Sequence, residues 1–490
     1  MIWNQEEIEA GDGNESKLAS DDPPPPVLLD VDFCGGIVNL HALNPPKGEA
    51  AAVDRLPPLI YVEFARIPPA EIFTLGLQDS EIAASDFVEF INLRDFLVAQ
   101  GLTRAEQSFQ SSLEFSPDRA RFYTFHFQPD RNVALITTAL NERSIVARAV
   151  AGRNLVPPQP VLDPLQEPLV GSLLTTSPSG IKGLENQWYL FRCGVDRVWK
   201  RGFSGKGVVI ADIDWGFNIN HLDLKDQIDV KFNSMDQGSN VSSSNVTCHG
   251  TAVFGIAGAA NNNYGMAGVA YDSRLWAIMA GDEPLATINA QPWWDALDFV
   301  RCTDSHGARK IVMLEVQTLA GENIEVIPQI SQAITDAIKA EVVVCVAAGN
   351  GQRDAGSDEK GNPFPPTGSI IVGATAYDSV DNPLADFSNF GPRVAIYAPG
   401  DRRHDLTCGS LTKNAYRNNF GGTSGATPKV AGTIALMLEA NSKLTHCEIK
   451  DILRETGTPI KTDNPNAAGG VFLNAERAVC EAINRAGGKC

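Results

Sequence analysis

The pattern of apolar and polar positions divides the chain into two unequal parts. Up to about residue 155, short strand-like segments such as 60–64 mix with helix-like segments such as 85–90. From about residue 186 onward, continuous apolar runs of strand length alternate with amphipathic segments of helix length. Apolar strands separated by helices are typical of a parallel sheet that is covered on both faces.

The second part therefore predicts an α/β fold with a doubly wound parallel sheet, and the first part predicts a smaller α+β domain. The predicted strands are 208–214, 275–279, 311–314, 342–347 and 370–374, and helices are predicted to begin near His249, Trp293, Ile327 and Ser424. In such sheets, active sites lie at the carboxyl ends of the strands, so polar residues at those ends are the first candidates for chemistry.

Composition shifts give the predicted domain boundaries. Residues 1–26 are acidic and end in four prolines, which predicts a tail. Residues 27–155 form the smaller domain, and residues 156–185, rich in proline and then in serine and threonine, form a linker. Exposed linkers are preferred sites of cleavage. The larger domain then occupies residues 186–490.

The formal net charge of −19 changes the expected partners. Such a field repels nucleic acid and anionic lipid surfaces, so neither is an expected partner. No run approaches the ~20 apolar residues of a membrane span. The acidic N-terminus lacks the basic start and apolar run of a secretory signal. The expectation is a cytoplasmic protein, export by another route, or a signal removed before this numbering.

Nine cysteines form no metal-binding spacing. Cys345 stands in a run of valines and is predicted to be a buried thiol. Cys480 and Cys490 flank a short polar segment and are suitably placed to close a small loop. Because no secretory signal is visible, free thiols in a reducing compartment are the favoured alternative.

Four polar residues stand at the ends of predicted elements. Asp214 and Asn350 follow apolar strands, whereas His249 and Ser424 begin helices; Asp212 lies two residues before Asp214, on the same side of its strand. Each alone has an ordinary explanation as a cap or a turn residue. Together they suit acyl transfer, because a histidine base needs a carboxylate to orient it and a developing oxyanion needs N–H donors.

The segments around these residues resemble the subtilisin family, in the chain order Asp, His, Ser. The matching segments are 207–214, 249–255, 347–350 and 422–428, and the resemblance covers about residues 186–480. It implies that Asp214 orients His249, and that His249 takes the proton of Ser424, whose oxygen attacks the peptide carbonyl. It also implies that Asn350 and the Ser424 N–H hold the oxyanion. The expected function is that of a serine endopeptidase.

The same resemblance implies a structural calcium site, of the kind many subtilisins carry. It assigns the side chains of Asp223 and Asn262, together with the carbonyls of Ala260, Tyr264 and Met266, as an all-oxygen ligand set. The alternative is a metal-free turn rich in asparagine.

The sequence departs from the family along the strand that binds substrate, where Leu314, Glu315, Val316 and Gln317 replace the usual Ser-Leu-Gly pattern. With Ala348 and Gly349, these residues are the predicted substrate-binding positions, because peptides add to such a strand edge by main-chain hydrogen bonds. Glu315 in the cleft predicts a preference for a basic side chain near the cut bond. The alternative is that Glu315 turns away from the cleft or pairs with a neighbouring cation.

The N-terminal part has its own resemblance. Residues 132–141 and 144–149 are similar to the helix and last strand of a subtilisin prodomain, which assists folding and blocks the cleft until it is cut. The N-terminal domain is therefore expected to be an intramolecular inhibitor, and a permanent accessory domain is the alternative. Two further functions stay open: a peptide ligase or macrocyclase using the same acyl-enzyme, and a non-catalytic binding protein on the same fold.

Overall fold

The computed structural model describes most of the chain. Described are residues 31–33, 36–38, 58–69, 72–73, 88–109, 117–156, 187–242, 249–262, 265–282, 290–376, 381–400, 405–409, 414 and 416–490. The predicted tail 1–26 and all of the predicted linker except Val156 lie outside these ranges, as does Tyr264.

The helices and strands follow one another as the two-part pattern predicts. The strands are β1 (Val31–Phe33), β2 (Gly36–Val38), β3 (Leu59–Phe64), β4 (Leu102–Gln107), β5 (Phe122–Phe127), β6 (Val146–Ala151), β7 (Leu155–Val156), β8 (Val208–Asp214), β9 (Ile228–Asn233), β10 (Arg274–Met279), β11 (Arg309–Leu314), β12 (Gln317–Thr318), β13 (Val343–Ala347), β14 (Ile370–Thr375), β15 (Val394–Pro399), β16 (Asp405–Cys408), β17 (Tyr416–Phe420), β18 (Thr458–Pro459) and β19 (Val471–Phe472). The helices are α1 (Val88–Ala99), α2 (Val133–Asn141), α3 (Trp188–Arg192), α4 (Val195–Lys200), α5 (His249–Gly258), α6 (Gln291–Cys302), α7 (Pro328–Lys339), α8 (Gly422–Ala440), α9 (His446–Thr456) and α10 (Ala475–Arg485).

A nine-stranded sheet forms the centre of the larger domain, in the order β18-β19-β15-β14-β13-β11-β8-β10-β9. All neighbours from β19 to β9 pair in parallel, and only β18 is antiparallel to its neighbour. Along β8 the side chains alternate between two cores: Val208 and Ile210 pack on the side of α5 and α8, and Val209 and Ala211 pack on the side of α6 and α7. The predicted doubly wound fold is confirmed.

The N-terminal unit is a four-stranded antiparallel sheet in the order β4-β5-β3-β6, with its own core. Phe64 lies at the centre of that core and meets Phe73, Phe90 and Phe125 at ring-centroid distances of 5.5–6.3 Å. Helix α2 packs on β6, as the resemblance of residues 132–149 implies. The predicted smaller α+β region is therefore present.

The N-terminal unit is packed directly against α6 and α7 of the larger domain. Arg119 is buried in this contact: it forms a two-pronged ion pair with Asp298, and its Nε lies 2.6 Å from Asp336 Oδ2. The Tyr61 hydroxyl accepts the N–H of Ala290 at 3.0 Å, just before α6. This contact is buried and combines polar groups with apolar side chains of both parts.

Strand β7 continues from the N-terminal unit and pairs antiparallel with β12 of the larger domain. The Leu319 N–H extends this pairing by donating to the Asn154 carbonyl at 2.9 Å. Arg153, just before this segment, lies 3.2 Å from the fully buried Glu322. The strand edge that the sequence predicts for substrate is thus covered by the chain's own residues 154–156.

Two sequence expectations concern cysteines and membranes. Cys480 and Cys490 are joined by a disulfide, so free thiols are the wrong prediction for this pair. The described cysteines that remain free include Cys345, which is buried as expected.

Within the described ranges, every helix is too short or too polar to span a bilayer.

Candidate active site

Asp214 is the last residue of β8 and is fully buried, and both of its carboxylate oxygens accept hydrogen bonds. Oδ2 lies 2.6 Å from Nδ1 of His249, the first residue of α5, and Oδ1 accepts the Trp215 N–H at 2.6 Å. The His249 ring is held between aromatic neighbours, with its centroid 6.1 Å from that of Trp215 and 5.4 Å from that of Phe420. The imidazole is therefore oriented by the carboxylate that the sequence predicts.

The other ring nitrogen, His249 Nε2, is buried and makes no hydrogen bond to any residue that the structure describes. The Ser424 hydroxyl is therefore not hydrogen-bonded to it in this structure. Catalytic contacts of this kind are often long before substrate binds and tighten in the reactive complex. Ser424 itself is fully buried in α8, which packs against α5 and so brings the serine to the same side of the sheet as His249.

Helix α8 begins at Gly422, two residues before Ser424. Pro428 consequently lies in the second turn of the helix. Because proline has no N–H, the carbonyl of Ser424, four residues earlier, cannot receive the usual helical hydrogen bond from it.

Asn350 follows β13 and is held from two sides. Its Oδ1 accepts both the N–H and the hydroxyl of Thr423, each at 3.0 Å, and its own N–H donates to Gln317 Oε1 at 2.7 Å. Its Nδ2 is buried without a hydrogen-bond partner among the described residues. The amide therefore presents a free N–H donor beside the residue that precedes Ser424, which suits a developing oxyanion.

Sequence reasoning missed the role of Thr423 and assigned Gln317 only to substrate. Thr423 is adjacent to the predicted nucleophile, and that adjacency was the available signal. Gln317 reaches Asn350 only because β11 and β13 are neighbours in the sheet, which sequence spacing does not reveal.

The predicted substrate-binding residues do not all face one cleft. Leu314 and Val316 are fully buried in the core on the side of α6 and α7, and Ala348 is buried in a smaller cluster. Gly349 has a φ of +97°, and a Cβ there would meet Asn389 Nδ2 at 2.6 Å, so a close backbone approach requires glycine. The main chain of Gln317 forms the strand edge that pairs with Val156.

Glu315 turns away from the cleft, which was the alternative to the predicted position facing the substrate. Its side chain is fully buried and its carboxyl group lies beside those of Asp212 and Asp214. Its charge therefore does not face the strand edge, and the predicted preference for a basic side chain near the cut bond loses its structural basis.

The described residues among those assigned to calcium come together, but their hydrogen bonding does not suit the ion; they are Asp223, Asn262, Ala260 and Met266. Asp223 Oδ2 accepts the Tyr416 hydroxyl at 2.6 Å and the Met266 N–H at 3.1 Å, and Oδ1 accepts the Asn262 amide at 3.1 Å. The Ala260 N–H donates to the Asp223 carbonyl at 2.8 Å. A cation needs oxygen lone pairs, whereas this carboxylate is surrounded by hydrogen-bond donors.

The Tyr416 hydroxyl lies close to both Gly265 and Asp223. At Gly265, a Cβ would lie 1.7 Å from the Tyr416 hydroxyl oxygen and 2.3 Å from Asp223 Oδ2. Burial raises the pKa of the Asp223 carboxyl from its ordinary value, although the Tyr416 and Met266 donors oppose this rise. Among the described residues, Asp223 is therefore held in a hydrogen-bonded turn whose donors do not suit a cation, and calcium binding stays a prediction.

Comparison with known proteins agrees with this fold. The family model described as the subtilase family (Peptidase_S8) matches residues 205–472, which is more than half of the chain. The chain therefore belongs to the subtilase family and is a subtilisin-like serine protease.

Similar proteins come from several bacilli. Alkaline elastase YaB of a Bacillus strain is 30% identical over 295 residues, covering 59% of this chain and 69% of that protein. Subtilisin of Bacillus pumilus is 30% identical over 263 residues, covering 53% of this chain and 86% of that protein. The major intracellular serine protease of Bacillus subtilis is 28% identical and has 74% of its length covered.

Among solved structures, fervidolysin from Fervidobacterium pennivorans, a keratinolytic enzyme related to subtilisin, is similar with a TM-score of 0.56 and 16% identity. That likeness covers 92% of this chain and 63% of fervidolysin, so it includes the N-terminal unit. A protease from Pseudoalteromonas arctica is similar with a TM-score of 0.50 and 24% identity, covering 61% of this chain and 97% of that one. At these identities the likeness concerns the fold alone.

Proposed function

We propose that the chain hydrolyses peptide bonds through an acyl-enzyme on Ser424, with His249 as the base and Asp214 as its orienting carboxylate. The observation that carries this proposal is the 2.6 Å contact between Asp214 and His249, which leaves Nε2 of the imidazole without another partner among the described residues. His249 takes the Ser424 proton as the oxygen attacks, and returns it to the leaving amine. The free amide of Asn350 and the N–H of Ser424 stabilise the oxyanion.

A fluorophosphonate probe tests the nucleophile directly. Wild-type protein should be labelled at Ser424, the Ser424→Ala variant should not be, and His249→Ala should react far more slowly because the serine loses its base. Labelling at another residue, or equal labelling of all three proteins, refutes the assignment. Product analysis on a peptide with a free N-terminus separates hydrolysis from ligation, because a ligase joins or cyclises the acyl group where a protease transfers it to water.

We propose further that the N-terminal unit is an inhibitory prodomain, and that cleavage within residues 156–185 separates it from the catalytic domain. The antiparallel pairing of β7 with β12 supports this, since a peptide substrate would bind the same strand edge. The buried contact of Arg119 with Asp298 and Asp336 supports it as well, because it anchors the unit on α6 and α7.

The size of the purified protein tests self-processing. Wild-type protein should be shortened by cleavage between the two domains, and Ser424→Ala protein should stay at full length. Mixing a trace of wild-type enzyme with Ser424→Ala protein shows whether the cut is also made between molecules. If wild-type and Ser424→Ala proteins run at one size, the N-terminal unit is a permanent domain.

A further inference from the structure

Two further carboxyl groups are buried directly behind Asp214. Asp212 precedes it by two residues on β8, and Glu315 follows β11, the neighbouring strand. One oxygen from each of the three carboxyl groups lies within 4.8 Å of the others, and all three residues are fully buried. The proposed mechanism uses Asp214 and leaves the other two without a role.

The three carboxyl groups differ in their hydrogen-bond donors. Both oxygens of Asp214 receive one, from His249 and from the Trp215 N–H. All four oxygens of Asp212 and Glu315 are buried and receive none from the described residues. No described lysine, arginine or histidine forms an ion pair with either group. Buried ionised carboxylates are strongly disfavoured when they have neither hydrogen-bond donors nor cations beside them. The proton for a hydrogen bond must therefore be carried by the carboxyl groups themselves.

The surroundings on every side favour the neutral form. Two titratable neighbours face the pair: the Asp214 carboxylate on β8, with its partner His249 on α5, and the Cys345 thiol on β13. Burial, and then the nearby Glu315, raise the pKa of the Cys345 thiol. Burial first, and then the neighbouring carboxylates, raise the pKa of Asp212 well above its ordinary value. Burial also raises the pKa of Glu315 well above its usual range.

We propose that Asp212 and Glu315 form a neutral, mutually hydrogen-bonded pair of carboxylic acids that positions Asp214 and leaves it the sole ionised carboxylate behind His249. Each neutral acid carries one O–H donor and acceptor lone pairs, so the pair satisfies itself without a cation. The inference rests on the proposed triad, in which Asp214 must stay ionised to stabilise the imidazolium. Asp212 and Glu315 are positioning residues, since neither is hydrogen-bonded to His249.

Infrared spectroscopy tests the protonation state without using activity. At pH 7 the difference spectrum between wild-type protein and the Asp212→Asn/Glu315→Gln variant should contain the carbonyl band of protonated carboxylic acid. Glu341→Gln, at an exposed glutamate, is the matched control and should give no such band. Only carboxylate bands in the wild-type difference spectrum would overturn the proposal. Because this result does not depend on turnover, it stands apart from any failure of the peptidase assignment.

The pH profile of kcat/KM gives a second test. Glu315→Gln keeps a neutral hydrogen-bonding group, so kcat should fall by about fivefold at most, and the acid limb of the profile should stay in place. Glu315→Ala leaves Asp212 without its partner and should lose far more activity. If Glu315 is instead ionised in the wild type, Glu315→Gln removes a negative charge near His249, and the acid limb moves to lower pH by about one unit or more. That movement would refute the neutral pair.

Stability should depend on pH with a definite sign. A carboxyl group with a raised pKa holds its proton in the folded state after the unfolded chain has lost it, so its stabilisation is complete below about pH 4 and is lost as pH rises. Between its unfolded and its folded pKa, each such group lowers the equilibrium constant for folding by about tenfold for every unit by which the pH rises. Wild-type protein should therefore lose stability relative to Asp212→Asn/Glu315→Gln between pH 5 and 8. A relative gain would contradict the proposal.

Discussion

Replacing Arg119 with methionine perturbs the contact between the two domains at its most buried point. The guanidinium is 2% exposed, forms its two-pronged contact with Asp298, and lies 4.4 Å from the ring centroid of Phe109. Methionine retains most of the apolar contact but removes the charge. Asp298, which is 1% exposed, and Asp336 then remain as carboxylates facing a position without a cation.

The expected cost follows from that burial. Removing one partner of a buried ion pair typically destabilises by about 3–5 kcal/mol, because the remaining charge stays buried. Arg301, whose Nε lies 3.3 Å from Asp298, offsets part of this cost and favours the lower end. At about 1.4 kcal/mol per factor of ten, docking of the N-terminal unit should weaken by about two orders of magnitude or more.

Hydrogen–deuterium exchange on full-length Ser424→Ala protein measures this loss, because β7 and β12 amides are protected only while the unit is docked. Arg121→Met is the control: its ion pair with Glu63 is partly exposed and lies within the N-terminal unit, so it should contribute about 1 kcal/mol or less. Adding Asp298→Asn and Asp336→Asn to Arg119→Met should restore protection by removing the stranded charges. Equal exchange in Arg119→Met and Arg121→Met would refute the reasoning.

Three further predictions concern the active site and the turn around Asp223. Thr423→Val removes a hydroxyl that fixes the Asn350 amide, so kcat should fall by about fivefold with little change in KM. Thr423→Ser keeps the hydroxyl and should retain activity. Equal losses in both variants would show that the hydroxyl has no such role. Tyr416→Phe leaves a buried oxygen of Asp223 with one donor fewer and should lower the unfolding free energy by about 1–3 kcal/mol. A calcium chelator should leave the thermal midpoint of the wild type unchanged, and a marked fall on chelation would restore the calcium assignment.

Local pattern was sufficient for the five consecutive central strands of the sheet, β14, β13, β11, β8 and β10, and for the order of the candidate catalytic residues, but it missed β9, β15, β18 and β19. The strands around Asp214 and Asn350 are continuous apolar runs, because a parallel sheet covered on both faces buries both sides of each strand. The helix starts at or near His249 and Ser424 follow from polar residues that adjoin buried helical segments. Such signals lie within a few residues of one another, so the sequence displays them.

What the sequence could not supply depends on contacts between distant segments. Tyr416 is 193 positions from Asp223, and only folding shows that its hydroxyl donates to the carboxylate that was assigned to calcium. Glu315 was expected in the cleft because its strand lines it. The pairing of β8 with β11 instead brings its carboxyl group to Asp212. The buried Arg119 contact likewise has no local signature, since an arginine in a polar turn is usually solvated.

Gln317 joins two parts of the molecule that are usually considered separately. Its main chain holds Val156 by strand pairing, while its side chain holds the N–H of Asn350. Any extended peptide that replaces Val156 at this strand edge would therefore contact Gln317. This is the residue that fixes the Asn350 amide, which is proposed to stabilise the oxyanion. Gln317 alone therefore couples the occupancy of the strand edge to the alignment of the oxyanion donor.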